Sequence, residues 1–201
     1  MNNKTLVFTA TYNEAENIEK FLSSTLIIDN IDVLIIDDNS PDGTSKIIES
    51  FKEKYKNLFF IKREAKLGLD TAHKEGFNYA KSKNYQNLIT MDADLSHDPS
   101  EISIFKEKLE TNPFVIGSRY VLGGKNEMKF FRFLMSFLGN RLIKLVFNIK
   151  CSEYTTSFRG FNFNLLKNFD INNVKSKGYS FFMETVYQIN KSGNSIKEIP
   201  I

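Results

Sequence analysis

The chain has 201 residues, of which 41% are hydrophobic and 25% are charged, and its formal net charge is +3. These values are ordinary for a folded globular protein and exclude disordered, fibrous and disulfide-framed classes. The single cysteine, Cys151, excludes an internal disulfide, fits a reducing compartment and is expected to be a small buried side chain. The first residues lead directly into a strand-like run without a secretory pattern, which predicts a cytosolic protein.

In the first half of the chain, apolar runs alternate with helical patterns. The runs that predict strands are Thr5–Ala10, Asp32–Ile36, Leu58–Ile61 and residues 87–91. The helices predicted between them are one that Asn13 caps and that ends near Leu26, one after the turn at 39–44, and one from about Leu69 to Ser82. Strands this apolar indicate a parallel sheet with right-handed crossovers and helices on both faces. The predicted fold class is therefore α/β, with a mostly parallel, Rossmann-like sheet.

The second half of the chain adds a helix at about 100–110 and a fifth strand at 114–120. An amphipathic helix is predicted over about 128–149, with an apolar stripe on one side and a polar row on another. The polar row consists of Arg132, Ser136 and Asn140. An apolar helix near 181–189 and the closing segment Ile196–Ile201 follow, and no linker or repeat interrupts the chain. A single domain over residues 1–201 is therefore expected.

Acidic side chains follow three of the predicted parallel strands, where open α/β sheets bind ligands. They lie within Thr11–Glu14, at Asp37 and Asp38, and at Asp92 and Asp94. Two carboxylates spaced i, i+2 would leave most positions on a hard divalent cation, Mg²⁺ or Mn²⁺, free for water and a diphosphate. The alternative is a capped turn, in which Asp94 or Ser96 caps the helix that begins near residue 98.

The segment from Arg119 to Lys150 holds seven Lys and Arg residues against Glu127 alone, which indicates an anionic partner. Because basic and apolar residues are interleaved there, a membrane surface fits better than nucleic acid. No apolar run is long enough to span a bilayer. The polar row of the predicted helix is a candidate phosphate contact. The alternative is a helix that packs on the sheet and keeps its basic residues in solvent.

Five motifs occur in a characteristic order along the chain. They are Thr11-Tyr12-Asn13-Glu14, the run from Asp37 to Thr44, Lys66-Leu67-Gly68-Leu69, the run from Asp92 to His97, and Gly117-Ser118-Arg119-Tyr120. In this order they closely resemble the family 2 glycosyltransferases of GT-A fold, in the dolichyl- or polyprenyl-phosphate mannosyltransferase branch. Further matches, from Arg132 to the closing run Glu198–Ile201, extend the resemblance over nearly the whole chain.

The resemblance implies a role for particular residues. Those implied in nucleotide-sugar binding are Ala10, Tyr12, Glu14, Ile36, Asp38, Asp92 and Ala93. Those implied in metal binding are Asp92, Asp94 and Ser96. Those implied in gripping the acceptor's phosphate are Arg119, Arg132, Ser136 and Arg159. The catalytic set is Asp92, Asp94 and Arg119, whereas His73 and His97 are expected to be structural because a dianionic phosphate needs no general base.

The activity implied is an inverting, metal-dependent transfer of a hexose, with mannose favoured, to a polyprenyl or dolichyl phosphate. The favoured donor is GDP-mannose, and the favoured place is the cytosolic face of a membrane, with peripheral attachment. One alternative is UDP-glucose or another donor, with a lipid or glycan acceptor. Another is an inactive nucleotide-sugar-binding protein, and a nucleic-acid binder ranks behind both. The residues do not predict an oligomeric state.

Three residues depart from the family pattern. Asp70 stands where a second glycine is common, Glu153 where aspartate is usual and Thr156 where glycine is usual. Each departure is expected to alter a pocket. Relatives continue beyond the position of Ile201 with further basic residues.

Overall fold

A computed structural model describes residues 4–124, 138–141, 143–144 and 149–201. The strands in these ranges are β1 (Thr5–Thr11), β2 (Ile31–Asp37), β3 (Leu58–Lys62), β4 (Asn87–Thr90), β5 (Phe114–Ser118), β6 (Arg159–Asn162) and β7 (Ile196–Pro200). The α-helices that lie wholly within these ranges are α1 (Ile18–Thr25), α2 (Thr44–Lys52), α3 (Leu69–Ser82), α4 (Ile102–Leu109) and α5 (Tyr179–Lys191). Short 3₁₀ turns lie at Pro99–Glu101 and Ile171–Asn173.

The described strands form one sheet in the order β3-β2-β1-β4-β6-β5-β7. β3, β2, β1 and β4 pair in parallel, and so do β5 and β7. In the described part of the chain, β6 alone runs against its neighbours β4 and β5. The prediction of a mostly parallel α/β sheet is therefore confirmed. The carboxyl ends of β1, β2, β4 and β5 consequently lie along one edge, which we call the site edge.

The alternation of side chains along β1 divides the core into two layers. Leu6 and Phe8 point to the face that α3 and α5 cover, whereas Val7 points to the face that α1, α2 and α4 cover. All three side chains are fully buried. Successive residues of a strand point to opposite faces, so a run without polar residues has to be covered on both sides. The predicted placement of helices on both faces is correct.

Two predicted helix starts differ from the structure. Asn13 does not cap α1; it has a φ of 62° and its N–H donates to Ser40 Oγ at 2.9 Å. The helix begins at Ile18 instead, whose N–H donates to the Glu14 carbonyl. Asparagine tolerates the left-handed region, so Asn13 turns the chain rather than capping it. Asp98, and not Asp94 or Ser96, caps the turn that precedes α4 through its bond from the Ser100 N–H.

Only part of the predicted amphipathic helix is described. Residues 138–141 and 143–144 are helical, with Leu138 51% exposed and Asn140 buried. Arg132 and Ser136 lie outside the described residues. Among the helices of the described ranges, none has the length and hydropathy needed to cross a membrane.

Candidate active site

At the site edge, the charge of one carboxylate, Glu14, interacts with the charges of three others, and the four come from three loops. Glu14 follows β1, Asp42 follows β2, and Asp92 and Asp94 follow β4. Burial raises the pKa of Glu14, a hydrogen bond from Asn17 opposes the rise, and the charges of the other three acids raise it further. We call these four residues the acid rim. The ends of β1 and β4 flank the point where the sheet order reverses, which is where ligands bind in open α/β sheets.

Backbone N–H groups of the loop after β1 are tied to side chains of the loop after β2. The Glu14 N–H donates to Thr44 Oγ1 at 3.0 Å, and the Ala15 N–H donates to Asp42 Oδ2 at 2.9 Å. Asp42 Oδ1 also accepts from the Thr44 N–H and hydroxyl. The two loops therefore form one surface, and this surface fixes where Glu14 stands relative to Asp42.

Asp37 and Asp38 are adjacent in sequence but have different partners. Asp37 is fully buried and accepts from the hydroxyls of Thr11, Ser40 and Ser45 at 2.6–2.8 Å, and from the Ser40 N–H at 2.9 Å. Four hydrogen bonds satisfy a buried carboxylate that has no cationic partner among these contacts. Asp37 is consequently a structural residue that holds the turn after β2.

Asp38 forms a buried ion pair with Arg63, which sequence reasoning missed. Its other carboxylate oxygen accepts from the Gly68 N–H at 3.1 Å. Arg63 also donates to Thr71 Oγ1 at 2.7 Å and to the Gly68 carbonyl at 3.2 Å. The signal for Arg63 was its position directly after β3, because that strand ends at the same edge as β2. Any nucleobase that binds at Asp38 would therefore contact the Asp38–Arg63 ion pair rather than a lone carboxylate.

The other residues expected to bind nucleotide differ in accessibility. Tyr12 is 36% exposed, and the ammonium of Lys66 lies 3.7 Å from its ring centroid. Ala10 is partly buried, and Ala93 is buried. The side chain of Ile36 is fully buried in the core between the sheet and α3, so the predicted contact of Ile36 with a base would come from its backbone. Among these residues Tyr12 offers the accessible aromatic ring for a base, with Lys66 against one face of it.

The carboxylates of the Asp92 turn are open to solvent. The Asp92 side chain is 43% exposed, and Asp94 is exposed. Asp94 Oδ1 accepts from the Ser96 N–H at 3.0 Å, which closes a short turn in which Leu95 has a φ of 64°. Ser96 is exposed beside it. The turn thus presents the three residues expected to bind metal on a surface.

The donor set at this turn fits a hard divalent cation. In the described part of the chain, no three His, Cys, Asp or Glu side chains are placed to hold an ion by themselves. Two exposed carboxylates make an incomplete coordination shell, which is the usual arrangement for Mg²⁺ or Mn²⁺ that also binds a diphosphate. The mutual repulsion that raises the pKa of Glu14 would be relieved by a cation at the acid rim.

His97 connects the Asp92 turn to the loop before β6. Its Nδ1 accepts the Asp92 N–H at 3.1 Å, and its Nε2 lies 3.3 Å from Thr156 Oγ1. Burial lowers the pKa of His97, although the charges of Asp92 and Asp94 act in the opposite direction. His73, the other histidine, has a pKa lowered to about 3, first because it is buried and second because of the charge of Arg159. Both rings are buried side chains, as expected of structural histidines.

Arg119 lies at the end of β5 and is held by Glu153. Its Nε and Nη2 donate to Glu153 Oε2 at 3.0 and 2.8 Å, while its side chain remains 29% exposed. Glu153 is fully buried, and its other oxygen accepts from the Thr155 N–H and hydroxyl. The guanidinium is therefore oriented by the protein and keeps further N–H donors for a ligand.

Arg159 is placed where it cannot meet a phosphate, which corrects the expectation for this residue. It is 1% exposed, and its three nitrogens donate to the carbonyls of Thr156, Phe182 and Tyr154 at 2.8–2.9 Å. Burial lowers its pKa to about 9, so it stays charged at neutral pH. The reason is topological, because Arg159 begins β6 between the ends of β4 and β5. Arg159 stabilises the loop before β6.

The sequence departures also have partners in the structure. Asp70 Oδ1 accepts from the Gly178 N–H at 3.2 Å, which joins the start of α3 to the start of α5. Glu153 holds Arg119, and Thr156 faces His97. All three side chains are buried. A cavity of about 110 Å³ lies on the Arg119 side of the site edge; the described residues that line it are Tyr120, Asn140, Arg141, Lys144 and Ser152.

Comparison with known proteins identifies the family of this chain. The chain matches the sequence profile of Glycosyl transferase family 2 over residues 6–169. It belongs to glycosyl transferase family 2. The transferase is 30% identical over 200 residues to the undecaprenyl-phosphate mannosyltransferase of Micrococcus luteus. The aligned region covers 98% of this chain and 82% of that protein. It is also 30% identical over 202 residues to the polyprenol monophosphomannose synthase of Mycolicibacterium smegmatis, with 98% and 76% covered.

Solved structures share the fold of this family 2 transferase. A mannosyltransferase from Pyrobaculum calidifontis in complex with GDP-Man and Mn²⁺ has a TM-score of 0.63 at 17% identity, covering 98% of this chain and 55% of that one. Glucosyl-3-phosphoglycerate synthase from Mycobacterium tuberculosis with Mn²⁺, UDP and phosphoglyceric acid has a TM-score of 0.73 at 14% identity, covering 98% and 68%. At such identities the likeness concerns the fold, which is that of GT-A glycosyltransferases.

Proposed function

We propose that this glycosyl transferase moves mannose from GDP-mannose to a polyprenyl or dolichyl phosphate, with inversion and with Mg²⁺ or Mn²⁺. The observation that carries the proposal is the placement of the exposed Asp92 and Asp94 and the partly exposed Arg119 along one sheet edge. The names of the two curated relatives support mannose as the sugar and a polyprenyl phosphate as the acceptor.

The donor side of the site uses the ends of β1, β2 and β4. Tyr12 offers an exposed ring for base stacking, and the Asp38–Arg63 pair offers hydrogen-bonding groups at the edge of that surface. Glu14 interacts with the charges of Asp92 and Asp94 in the turn after β4, and a ribose hydroxyl could donate a hydrogen bond to Glu14 there. Asp92 and Asp94 would hold the cation, which when bound neutralises charge on the donor diphosphate.

The acceptor side uses the end of β5. Arg119 is preoriented by Glu153, and a guanidinium fork suits the oxygens of a phosphate. The lining of the neighbouring cavity includes Arg141 and Lys144, which add positive charge where two anionic substrates would have to meet. Positive groups on this side therefore offset the repulsion between the acceptor phosphate and the donor diphosphate.

The reaction requires positioning more than proton transfer. A lipid phosphate has a second pKa of about 6 and is largely dianionic at pH 7, so its oxygen can attack directly. That oxygen forms a bond to C1 of the sugar while the bond from C1 to the diphosphate breaks. The electron pair leaves on the nucleoside diphosphate, and attack from the opposite face inverts C1. Neither histidine is needed as a general base, which agrees with their burial.

We further propose that residues 1–201 act as one catalytic domain that attaches peripherally to the cytosolic face of a membrane. A polyprenyl phosphate keeps its chain in the bilayer, so the site edge has to approach the surface. Support comes from the interleaved basic and apolar residues of the 119–150 segment and from the exposed Leu138 in its described part.

The decisive experiment combines a thermal-shift screen with a transfer assay. GDP-mannose, UDP-glucose and UDP-GlcNAc are each tested with and without Mn²⁺, and a ligand at 100 times its dissociation constant adds about 2.7 kcal/mol of stability. GDP-mannose with Mn²⁺ is expected to give the largest shift. Labelled mannose should then pass to farnesyl phosphate, a short acceptor of the same chemistry.

The other outcomes of this experiment would change the proposed donor or refute the proposed function. A larger shift with UDP-glucose, followed by glucose transfer, would replace the proposed donor. Binding without transfer to any acceptor would indicate an inactive nucleotide-sugar-binding protein. If no nucleotide sugar shifts the melting temperature in either metal condition, the proposed function is wrong.

A further inference from the structure

His97 lies between the acidic and the basic parts of the site. On one side its Nδ1 accepts the Asp92 N–H at 3.1 Å, and on the other its Nε2 faces Thr156 Oγ1 at 3.3 Å. His97 is 8% exposed and Thr156 is 5% exposed. The imidazole is thus a buried bridge between the turn after β4 and the loop that precedes β6.

The hydrogen bonds assign the proton of this ring. Because Nδ1 accepts an N–H, the neutral imidazole carries its proton on Nε2, which can then donate to Thr156 Oγ1. The same oxygen also accepts the Phe158 N–H at 3.1 Å. A side chain without a hydroxyl at position 156 would leave the Nε2 proton without this partner.

The loop at the far end of the bridge also positions Arg119. The Thr155 N–H and hydroxyl donate to Glu153 Oε1 at 3.0 and 2.8 Å, and Glu153 Oε2 accepts from Arg119. One loop, residues 153–158, therefore connects through Thr156 and His97 to Asp92 and through Glu153 to Arg119. We call this loop the linking loop.

Ring packing leaves His97 little freedom to rotate. Its ring stacks on Phe158 with centroids 4.8 Å apart, and Phe158 stacks on Phe105 with centroids 4.2 Å apart. Phe158 and Phe105 are fully buried. A movement of the linking loop would thus move the imidazole, and with it the acceptor of the Asp92 N–H.

We propose that His97 is a positioning residue that couples the metal and donor side of the site to the acceptor side through the linking loop. The inference rests on the proposed function and goes beyond it by assigning a role to His97 and Thr156. Groups that orient a metal-binding residue commonly change metal affinity about 10- to 100-fold when they are removed. A two-sided bridge predicts more than this, namely that each side can be weakened separately.

Two His97 variants separate the two bonds. His97→Asn keeps an acceptor near the position of Nδ1 but is too short to reach Thr156. His97→Gln extends towards Thr156 but places no acceptor at the position of Nδ1. Mn²⁺ affinity is measured by electron paramagnetic resonance of free Mn²⁺ in the presence of GDP. His97→Gln is expected to weaken Mn²⁺ binding by about tenfold or more, and His97→Asn to leave it within about twofold of the wild type.

The other half of the bridge is tested by Thr156→Val, which removes the hydroxyl and keeps the shape. Farnesyl phosphate should tighten GDP·Mn²⁺ binding in the wild-type protein by about fivefold or more, a typical size for coupling between two sites. Thr156→Val and His97→Asn are both expected to lose this tightening. They should also raise KM for farnesyl phosphate while Mn²⁺ affinity stays near that of the wild type. Thr156→Val keeps the test decisive if His97→Gln does not fold.

Phe77→Leu is the matched control, because it disturbs a buried aromatic cluster in the other layer of the core, away from the rings that pack on His97. It should lower the melting temperature and leave Mn²⁺ affinity and the coupling unchanged. If His97→Gln and Phe77→Leu bind Mn²⁺ equally well, or if Thr156→Val keeps the full coupling, the positioning role is overturned. If the wild-type protein itself binds no GDP with Mn²⁺, the proposed function fails and takes this inference with it.

Discussion

The acidic and the basic sides of the site differ in how far their charged side chains are exposed to solvent. Asp92 and Asp94 reach solvent at the end of β4, whereas Arg159 is 1% exposed and Arg119 is clamped by a buried carboxylate. Exposed carboxylates are stable in water without a protein partner, but a guanidinium taken inside must have its N–H groups satisfied. Asp92 and Asp94 are therefore available for a ligand, whereas the hydrogen bonds of Arg159 and the ion pair of Arg119 with Glu153 stabilise the protein itself.

The difference follows from the connections of the strands. Asp92 and Asp94 follow the parallel strand β4 in a turn that is largely open to solvent. The basic side is built around β6, which inserts between β4 and β5 in the opposite direction and brings the linking loop inward. Arginine is a residue type that suits phosphate binding, but Arg159 is structural because it lies in β6, between two other strands.

The largest effect is expected at Arg159. Arg159→Met should destabilise the protein by about 3–5 kcal/mol, because three carbonyls would lose a charged donor in the core. Chemical denaturation measures this loss, and the melting temperature should fall by roughly 6–20 °C. Arg159→Lys, which keeps the charge but not the fork, should also be destabilised. A raised KM for the acceptor with unchanged stability in both variants would restore Arg159 as a phosphate ligand.

Asp94 should behave in the opposite way. Asp94→Ala is expected to lower kcat by about 10²- to 10³-fold, the usual loss when one electrostatic contact to the reacting charge is removed. Stability should change little because the side chain is exposed. The control is Asp170→Ala, which removes the same kind of bond, from the Asn172 N–H, in a turn away from the site edge. Equal transfer rates in the two variants would refute the role of Asp94.

The smallest effect concerns repulsion within the acid rim. Because the pKa of Glu14 is raised in the folded protein, its charged form is disfavoured there, and folding stability decreases as pH rises through the usual glutamate range. Glu14→Gln should therefore raise the melting temperature slightly at pH 7 and not at pH 3. Saturating Mn²⁺ should reduce the difference. The control is the exposed Glu16→Gln; an equal rise there would mean that the acid rim is not the cause.

Much of the fold and part of the site follow from local patterns in the chain. Apolar runs separated by helical periodicity predicted four parallel strands and the bounds of α3, Leu69–Ser82. The same patterns placed Asp92 and Asp94 directly after a buried strand. The periodicity that distinguishes a strand from a helix relates residues a few positions apart, so the sequence by itself determined these elements.

The partners of the charged side chains depended on the tertiary structure. Asp38 and Arg63 are 25 residues apart, Arg119 and Glu153 are 34 apart, and His97 and Thr156 are 59 apart. No periodicity relates such pairs, because the sheet order and the reversed direction of β6 decide which loops meet. The sequence therefore determined which charged groups the chain carries along its strand ends. Only the packed structure decided which of them stay open to a ligand, because burial forces the others to find partners inside.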